Sequence, residues 1–82
     1  MNICLAKYRQ IIYDQFKKNE NADFIEISIE SDFTADIHTM IKTELHCRNL
    51  ESKIINRLLN SRSLLIAPTG DPRVSQDVIF YY

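Results

Sequence analysis

The segment Leu64 to Arg73, LLIAPTGDPR, begins as many phosphate-binding loops do, with an apolar run that leads into Ala-Pro-Thr-Gly. Such a loop requires the pattern Gly-x-x-x-x-Gly-Lys-Ser/Thr, because backbone amides surround the phosphates, the lysine reaches the β and γ groups, and the hydroxyl binds magnesium. Here Asp71 and Pro72 follow Gly70, the only glycine of the chain, where the lysine and the hydroxyl are needed. We therefore predict no nucleotide site in this segment.

Metal ligands and reactive thiols are also poorly supported. His38 and His46 are eight positions apart, and the neighbouring His46 and Cys47 would point about 100° apart on a helix, so neither pair has a recognised ligand spacing. Cys4 and Cys47 are far apart and belong to no Cys-x-x-Cys pair. We predict reduced thiols in a cytoplasmic protein, with no metal and no cofactor.

The carboxylates Glu30, Asp32 and Asp36 could in principle surround a magnesium ion. However, acidic side chains that precede or begin a helix are already explained by capping and by the helix dipole. Ser61 and Ser63 have no local motif that would make either one a nucleophile. The sequence therefore predicts a protein that is not an enzyme.

Length and composition indicate one small globular domain over residues 1–82, with 45% apolar and 26% charged residues. The net charge of −1 gives no general attraction to nucleic acid or to anionic membranes. Its distribution is uneven, because residues 20–36 hold six acidic and no basic side chains, whereas the flanking parts are mildly basic. No apolar run is long enough to span a bilayer, and the first residues do not resemble a signal peptide.

Hydrophobic periodicity predicts the first three elements. An amphipathic helix is expected over residues 3–18, and the alternation of isoleucine with polar residues in DFIEISIES predicts a strand with one wet face. A second helix is expected over residues 34–46, with Ser31, Asp32 and Thr34 as candidate N-caps.

A third helix is predicted over residues 49–61, with Asn49 as its possible cap and an apolar face that contains Leu50, Ile54 and Leu58. The alternative is one continuous helix over residues 34–61. We favour a break near Leu50, because in a continuous helix this side chain would leave the apolar stripe. A helix of that length would also exceed the width of so small a domain.

The remaining residues are predicted to form a C-terminal β-hairpin. Residues 64–67 form its first strand, Pro68 to Pro72 form the turn, and residues 77–82, DVIFYY, form its second strand. The predicted order is therefore helix, strand, helix, helix, strand, strand, in an α+β domain.

This order resembles that of winged-helix domains, in which the third helix enters the DNA major groove and the hairpin contacts the backbone. The resemblance implies a small regulator that binds double-stranded DNA through residues 49–61 and a wing loop at 68–76. A KH-like arrangement is the other similar order, but residues 46–50 lack the glycines of its RNA clamp.

The polar face of the predicted third helix suits such a role, because asparagine can pair with adenine and lysine or arginine with guanine or phosphate. The candidate DNA-binding residues are Arg48, Asn49, Lys53, Asn56, Arg57, Asn60, Arg62 and Arg73. Against this role, the six acidic residues of 20–36 would repel DNA if they shared its face.

The competing hypothesis is a protein-protein interaction module, a small inhibitor or adaptor of a cellular or viral assembly, without nucleic-acid contact. Its candidate interface residues are Phe80, Tyr81 and Tyr82, since exposed aromatic side chains and open strand edges favour contact with protein. Alternation along the last strand leaves apolar side chains on both faces, which predicts a homodimer.

Overall fold

Residues 3–75, which a computed structural model of the chain describes, form three α-helices and a three-stranded antiparallel sheet. The α+β class is therefore as predicted. In chain order the elements are α1 (Ile3–Lys18), β1 (Ile25–Ile29), α2 (Ala35–His46), β2 (Leu50–Asn56), β3 (Arg62–Pro68) and α3 (Pro72–Ser75). The strands lie in the order β1-β3-β2, so β3 is central and β1 and β2 form the two edges.

The first two helices form where the periodicity predicted them. The face of α1 that carries Leu5, Tyr8 and Ile12 is buried. In α2, Thr34 is the N-cap, because its hydroxyl accepts a hydrogen bond from the Ile37 amide at 3.3 Å. Of the three candidate caps, Thr34 therefore has this role.

The chain breaks after α2, as the position of Leu50 predicted, but the predicted third helix over residues 49–61 is wrong. Asn49 has a positive φ of 61°, so it ends the turn after α2 and does not cap a new helix. The residues that follow form β2, which pairs with β3 from Leu50 opposite Pro68 to Asn56 opposite Arg62. Pairing with β3 thus overrides a helical spacing of apolar residues.

The hairpin between β2 and β3 closes with a hydrogen bond from the Arg57 amide to the Ser61 carbonyl at 2.7 Å. A short 3₁₀ turn, Leu58–Asn60, forms its tip. Leu59 and Asn60 both have left-handed backbone angles, with φ of 62° and 60°. Asparagine tolerates this conformation, whereas leucine adopts it only with strain.

The predicted strand at 64–67 is confirmed within β3, but its predicted pairing is not. Because β1 and β2 occupy both sides of β3, no side is left for a hairpin with residues 77–82, which lie outside the described residues. The proposed wing loop at 68–76 is also wrong in its described part. After Gly70, with φ of 91°, Pro72–Ser75 form the short helix α3. The winged-helix order is therefore not confirmed.

The core lies between one face of the sheet and the two long helices. The isoleucines of β1 alternate inward with Glu26 and Ser28 outward, and Leu64 and Ile66 of β3 lie on the same inner face. Leu5, Tyr8 and Ile12 of α1 and Ile37, Ile41 and Leu45 of α2 cover this face. Among residues 3–75, no helix has the length and apolar character needed to cross a membrane.

Candidate functional site

The eight residues predicted to contact DNA do not form one surface. Asn56, Arg57, Asn60 and Arg62 lie at the hairpin end of the sheet, where β2 meets β3. The remaining positions are elsewhere: Arg48 and Asn49 precede β2, Lys53 lies within β2, and Arg73 lies in α3. Since a seven-residue strand is roughly 20 Å long, Arg48 and Asn49 are separated from the hairpin end by the length of β2, and Lys53 lies midway between them.

Arg57 is held by an acidic side chain on the outer face of the sheet, the face opposite α1 and α2. Its Nε donates to Glu26 at 3.1 Å, and a second guanidinium nitrogen donates to the other carboxylate oxygen. This bidentate pair, followed by a hydrogen bond from Ser63, lowers the pKa of Glu26 below its usual value. The positive charge of Arg57 is therefore largely compensated within the domain.

Arg73 and Arg62 also bind acceptors of the protein itself. The guanidinium of Arg73 donates to Asp71 at 2.8 Å and stacks over the Phe24 ring at 4.4 Å. Arg62 donates to the carbonyl of Glu30 at 2.9 Å. These contacts join the strands and α3, and they give the three arginines a structural role.

The histidine and cysteine positions do not converge on a metal site, and residues 3–75 contain no group of three or more His, Cys, Asp or Glu placed to hold one. His38 instead packs against Phe33, and its Nε2 lies 3.0 Å from the Ser52 hydroxyl of β2. Burial, followed by the charge of Lys42, lowers the pKa of His38. The neutral ring therefore joins α2 to β2.

The acidic residues before α2 likewise have partners within the fold. Asp32 accepts hydrogen bonds from the Lys7 ammonium at 2.8 Å and from the Tyr8 hydroxyl at 2.5 Å. Both donors lower the pKa of the Asp32 carboxyl. The same tyrosine hydroxyl accepts the Glu30 amide at 3.1 Å. The hydrogen bonds of Tyr8 with Asp32 and with the Glu30 amide thus connect α1 to the residues that follow β1.

Both edge strands, β1 and β2, lack a neighbouring strand on their outer side within residues 3–75, but α2 and α3 both contact β2, whereas α1 contacts β1. The direction of the backbone groups of β1 follows from the ladder, because hydrogen-bonded pairs alternate along antiparallel strands. Two hydrogen bonds, from the Arg57 amide to the Ser61 carbonyl and from the Thr69 amide to the Asn49 carbonyl, show which residue pairs of β2 and β3 are hydrogen-bonded. The backbone amides and carbonyls of the odd-numbered residues of β3 therefore point toward β2, and those of the even-numbered residues point toward β1. The even-numbered residues of β3 pair with Ile25, Ile27 and Ile29 of β1, whose backbone groups therefore point toward β3.

The backbone amides and carbonyls of Glu26 and Ser28 therefore point away from the sheet. The Glu30 amide points the same way, since it reaches the Tyr8 hydroxyl of α1. No backbone group within residues 3–75 is hydrogen-bonded to the outward amides and carbonyls of Glu26 and Ser28. Unpaired edge groups of this kind are a template for another strand.

A groove of about 410 Å³ runs between this edge and α1. Its floor is apolar, because Ile27 is buried and Ile11 is half-buried, and half-buried Gln15 lies at its rim. Lys7 and Glu30 also line the groove, with the Lys7 ammonium 3.8 Å from the carboxylate of Glu30, whose side chain is 78% exposed. We call the strand edge and this groove together the β1 edge site.

A second groove, of about 600 Å³, lies between α1 and α2 and includes the half-exposed Tyr13 and the half-buried Phe16. Its charged walls already pair with each other, since Arg9 donates to Glu44 at 2.7 Å. It offers no unpaired backbone groups, because both walls are helical. The β1 edge site is therefore the better candidate.

Sequence reasoning predicted β1 itself but not its position at an edge. The alternation of isoleucine with Glu26, Ser28 and Glu30, without lysine or proline, was the available signal for an open strand. The predicted interface residues Phe80, Tyr81 and Tyr82 lie outside the described residues. The chain matches no family model, and no curated protein or solved structure is significantly similar to it.

Proposed function

We propose that this chain is a small non-enzymatic protein-binding module that accepts an extended segment of another protein as a fourth strand beside β1. The observation that supports the proposal is the β1 edge site, where the outward backbone groups of Glu26 and Ser28 lie next to a groove with Ile11 and Ile27 at its floor and polar side chains at its rim. Main-chain hydrogen bonds give such strand addition its affinity, and pockets for alternate side chains give its specificity.

The proposal is tested by selecting displayed heptapeptides on the purified domain and measuring their binding to a Ser28→Pro variant. Proline is tolerated at an edge position whose amide faces outward, so the variant should fold but lose the amide that receives the new strand. We expect the selected peptides to shift the NMR amide signals of Glu26 and Ser28 and to bind Ser28→Pro at least tenfold more weakly.

Ser28→Thr is the matched control, because it retains the outward amide and a β-branched side chain suits a strand. It should bind the selected peptides as the unchanged chain does. Peptides that bind Ser28→Pro and the unchanged chain equally would contradict the proposal, provided that circular dichroism shows both to be folded.

Binding of double-stranded DNA stays a prediction, but its mechanism through a helix at 49–61 is not retained, because that segment forms β2. A two-stranded ribbon can also enter the major groove. At this hairpin, however, Glu26 and Glu30 lie beside Arg57 and Arg62 and would repel the phosphates.

A triple variant with alanine at Lys53, Arg57 and Arg62 tests the DNA hypothesis. We expect any affinity for duplex DNA to be the same in this variant as in the unchanged chain. A salt-dependent affinity that is lost in the variant would favour DNA binding instead.

A further inference from the structure

We infer that the outer face of the sheet is a docking surface for the chain's own C-terminal segment, residues 76–82. The surface is centred on Leu65 of β3, and its occupant is the apolar and aromatic run VIFYY that follows α3 in the sequence. This inference goes beyond the proposed function, because the outer face and the β1 edge are different surfaces of the sheet.

The central strand is buried on both of its faces. Leu64 and Ile66 belong to the core beneath the helices, and alternation along the strand turns Leu65 and Ala67 to the outer face. All four side chains are nevertheless at most 3% exposed. An antiparallel strand with one wet face alternates apolar and polar residues, as β1 does. The unbroken apolar run of β3 therefore requires a second layer over the outer face.

The short helix α3 covers one end of this face. The Gly70 amide, just before α3, donates to the outward Glu51 side chain at 3.4 Å, and Ala67 lies opposite Glu51 in the ladder. The helix also contacts both β2 and β3. With four residues it is only about 6 Å long, so it covers the end at Ala67 and not the length of the strand.

Leu65 lies in the middle of the outer face, opposite Glu26 of β1 and Lys53 of β2. Side chains of neighbouring strands flank a residue without covering it, because they stand roughly perpendicular to the sheet. The Glu26 carboxylate is also held by Arg57 from the hairpin end. Within residues 3–75, these contacts do not account for the 3% exposure of Leu65.

Residues 76–82 have the position, the length and the composition to cover Leu65. They follow α3 directly, at the Ala67 end of the face. Seven residues reach up to roughly 23 Å, whereas the four residue steps from Ala67 to Ser63 along β3 span roughly 13 Å. The run VIFYY suits contact with Leu65 and with the half-buried Ile55, because aromatic side chains bury large apolar areas.

The same chain is favoured over a second copy as the source of this segment. A segment joined directly to α3 has an effective concentration on the order of millimolar at the outer face. The segment of a separate chain would have to compete with it at the lower concentration of the protein in solution. The docking is therefore expected within one chain.

The first test is nuclear Overhauser spectroscopy on the full, isotope-labelled chain. We expect contacts between the Leu65 methyl groups and the aromatic protons of residues 80–82. Leu64 is the matched reference on the same strand, and its methyl groups should show no contact with these rings because they face the core. In an equal mixture of labelled and unlabelled chains, a filtered spectrum should show no contact between Leu65 and the rings of another chain.

The second test replaces two adjacent apolar side chains of the segment, as Ile79→Ser with Phe80→Ser. We expect the Leu65 methyl signals to shift and the Leu64 signals to remain in place. The melting temperature should fall by roughly 5–10 °C, because apolar contacts with the outer face are lost. Ile3→Ser is the matched control at a side chain that is 82% exposed, and it should change the melting temperature by less than about 3 °C.

The outcomes separate this inference from its alternatives. A folded chain without contacts between Leu65 and residues 76–82 would overturn it, as would a double serine variant that leaves the Leu65 signals and the melting temperature unchanged. Contacts between labelled and unlabelled chains would instead assign the outer face to an interface between two copies. Strand addition at β1 is measured separately, at the amides of Glu26 and Ser28, so its failure leaves this inference intact.

Discussion

The two edge strands of the sheet pair with the same central strand and yet differ in how they are covered. In β1, buried isoleucines alternate with exposed polar residues, because α1 covers one face and water the other. In β2, every residue from Leu50 to Ile55 is half-buried, and both α2 and α3 contact the strand. An edge strand covered on a single face keeps a clear alternation and an accessible edge, whereas one contacted by two helices loses the alternation.

The largest expected effect tests this difference in burial. Ile27 of β1 is 4% exposed in the core, whereas Ile55 of β2 lies half-buried on the outer face. We expect Ile27→Ala to lower the free energy of unfolding by about 2–5 kcal/mol and Ile55→Ala by about 1 kcal/mol, because the first also leaves a cavity. Urea denaturation measures both, and equal losses would contradict the described difference between the strands.

The same difference explains which parts of the fold could be predicted from the sequence. The amphipathic pattern of α1 and α2 and the alternation of β1 each have one face in the core, so local periodicity is sufficient. In β2, Leu50, Ile54 and Ile55 fit a helical stripe as well as they fit a strand. The choice depends on hydrogen bonds with β3, which no local pattern records.

The turns that bound β2 were also hard to recognise. The sequence offers Asn49 as a possible cap of a new helix, but asparagine also adopts the left-handed conformation that ends a helix, and this is its conformation here. At the hairpin tip, Leu59 occupies a position where Asn or Gly is typical, so the usual turn signal is missing. The candidate site could not be predicted because strand order, and therefore the open edge, depends on the whole fold.

Removal of one hydroxyl should weaken the end of β1 without affecting β2. Tyr8→Phe deprives the Glu30 amide of its acceptor and Asp32 of a donor, so we expect a loss of about 1–2 kcal/mol in the free energy of unfolding. Hydrogen exchange at Glu30 should accelerate with it. Tyr13→Phe is the control on the same helix, because that side chain is 52% exposed and should change stability by less than about 0.5 kcal/mol.

At the tip that joins β2 to β3, a substitution should stabilise the protein. Leu59 is 96% exposed and has a left-handed backbone, so its side chain gains nothing from burial while its Cβ is strained. Leu59→Asn should raise the free energy of unfolding by about 1 kcal/mol, or the melting temperature by roughly 4–8 °C. Leu59→Val should lower both, because a β-branched residue tolerates this conformation least; a gain with valine would show that backbone strain is not the cause.

The smallest effect distinguishes the two edges by the pH at which each loses stability. On the β2 side, the pKa of His38 in the folded state is lower than its ordinary value of 6.5. The contribution of neutral His38 to stability is therefore complete above pH 6.5 and is lost as the pH falls below that value toward the lowered pKa. On the β1 side, the pKa values of Glu26 and Asp32 are lower than their ordinary values of 4.5 and 3.8. These carboxylates therefore stabilise the fold above those pH values, and the stabilisation is lost as the pH falls below them. Between pH 7.5 and 5.5 the decline should therefore come from the α2–β2 contact.

Urea midpoints measured across this range check the assignment. His38→Gln keeps a polar group near Ser52 but cannot gain a proton, so its midpoint should be flat from pH 7.5 to 5.5 and should fall only in the carboxylate range. Asp32→Asn should keep the decline of the urea midpoint between pH 7.5 and 5.5 and lose part of the decline in the carboxylate range. His46→Gln removes an exposed histidine from the same helix and should retain the slope of the unchanged chain. If His46→Gln, and not His38→Gln, removed the upper decline, the neutral contact between α2 and β2 would not be its origin.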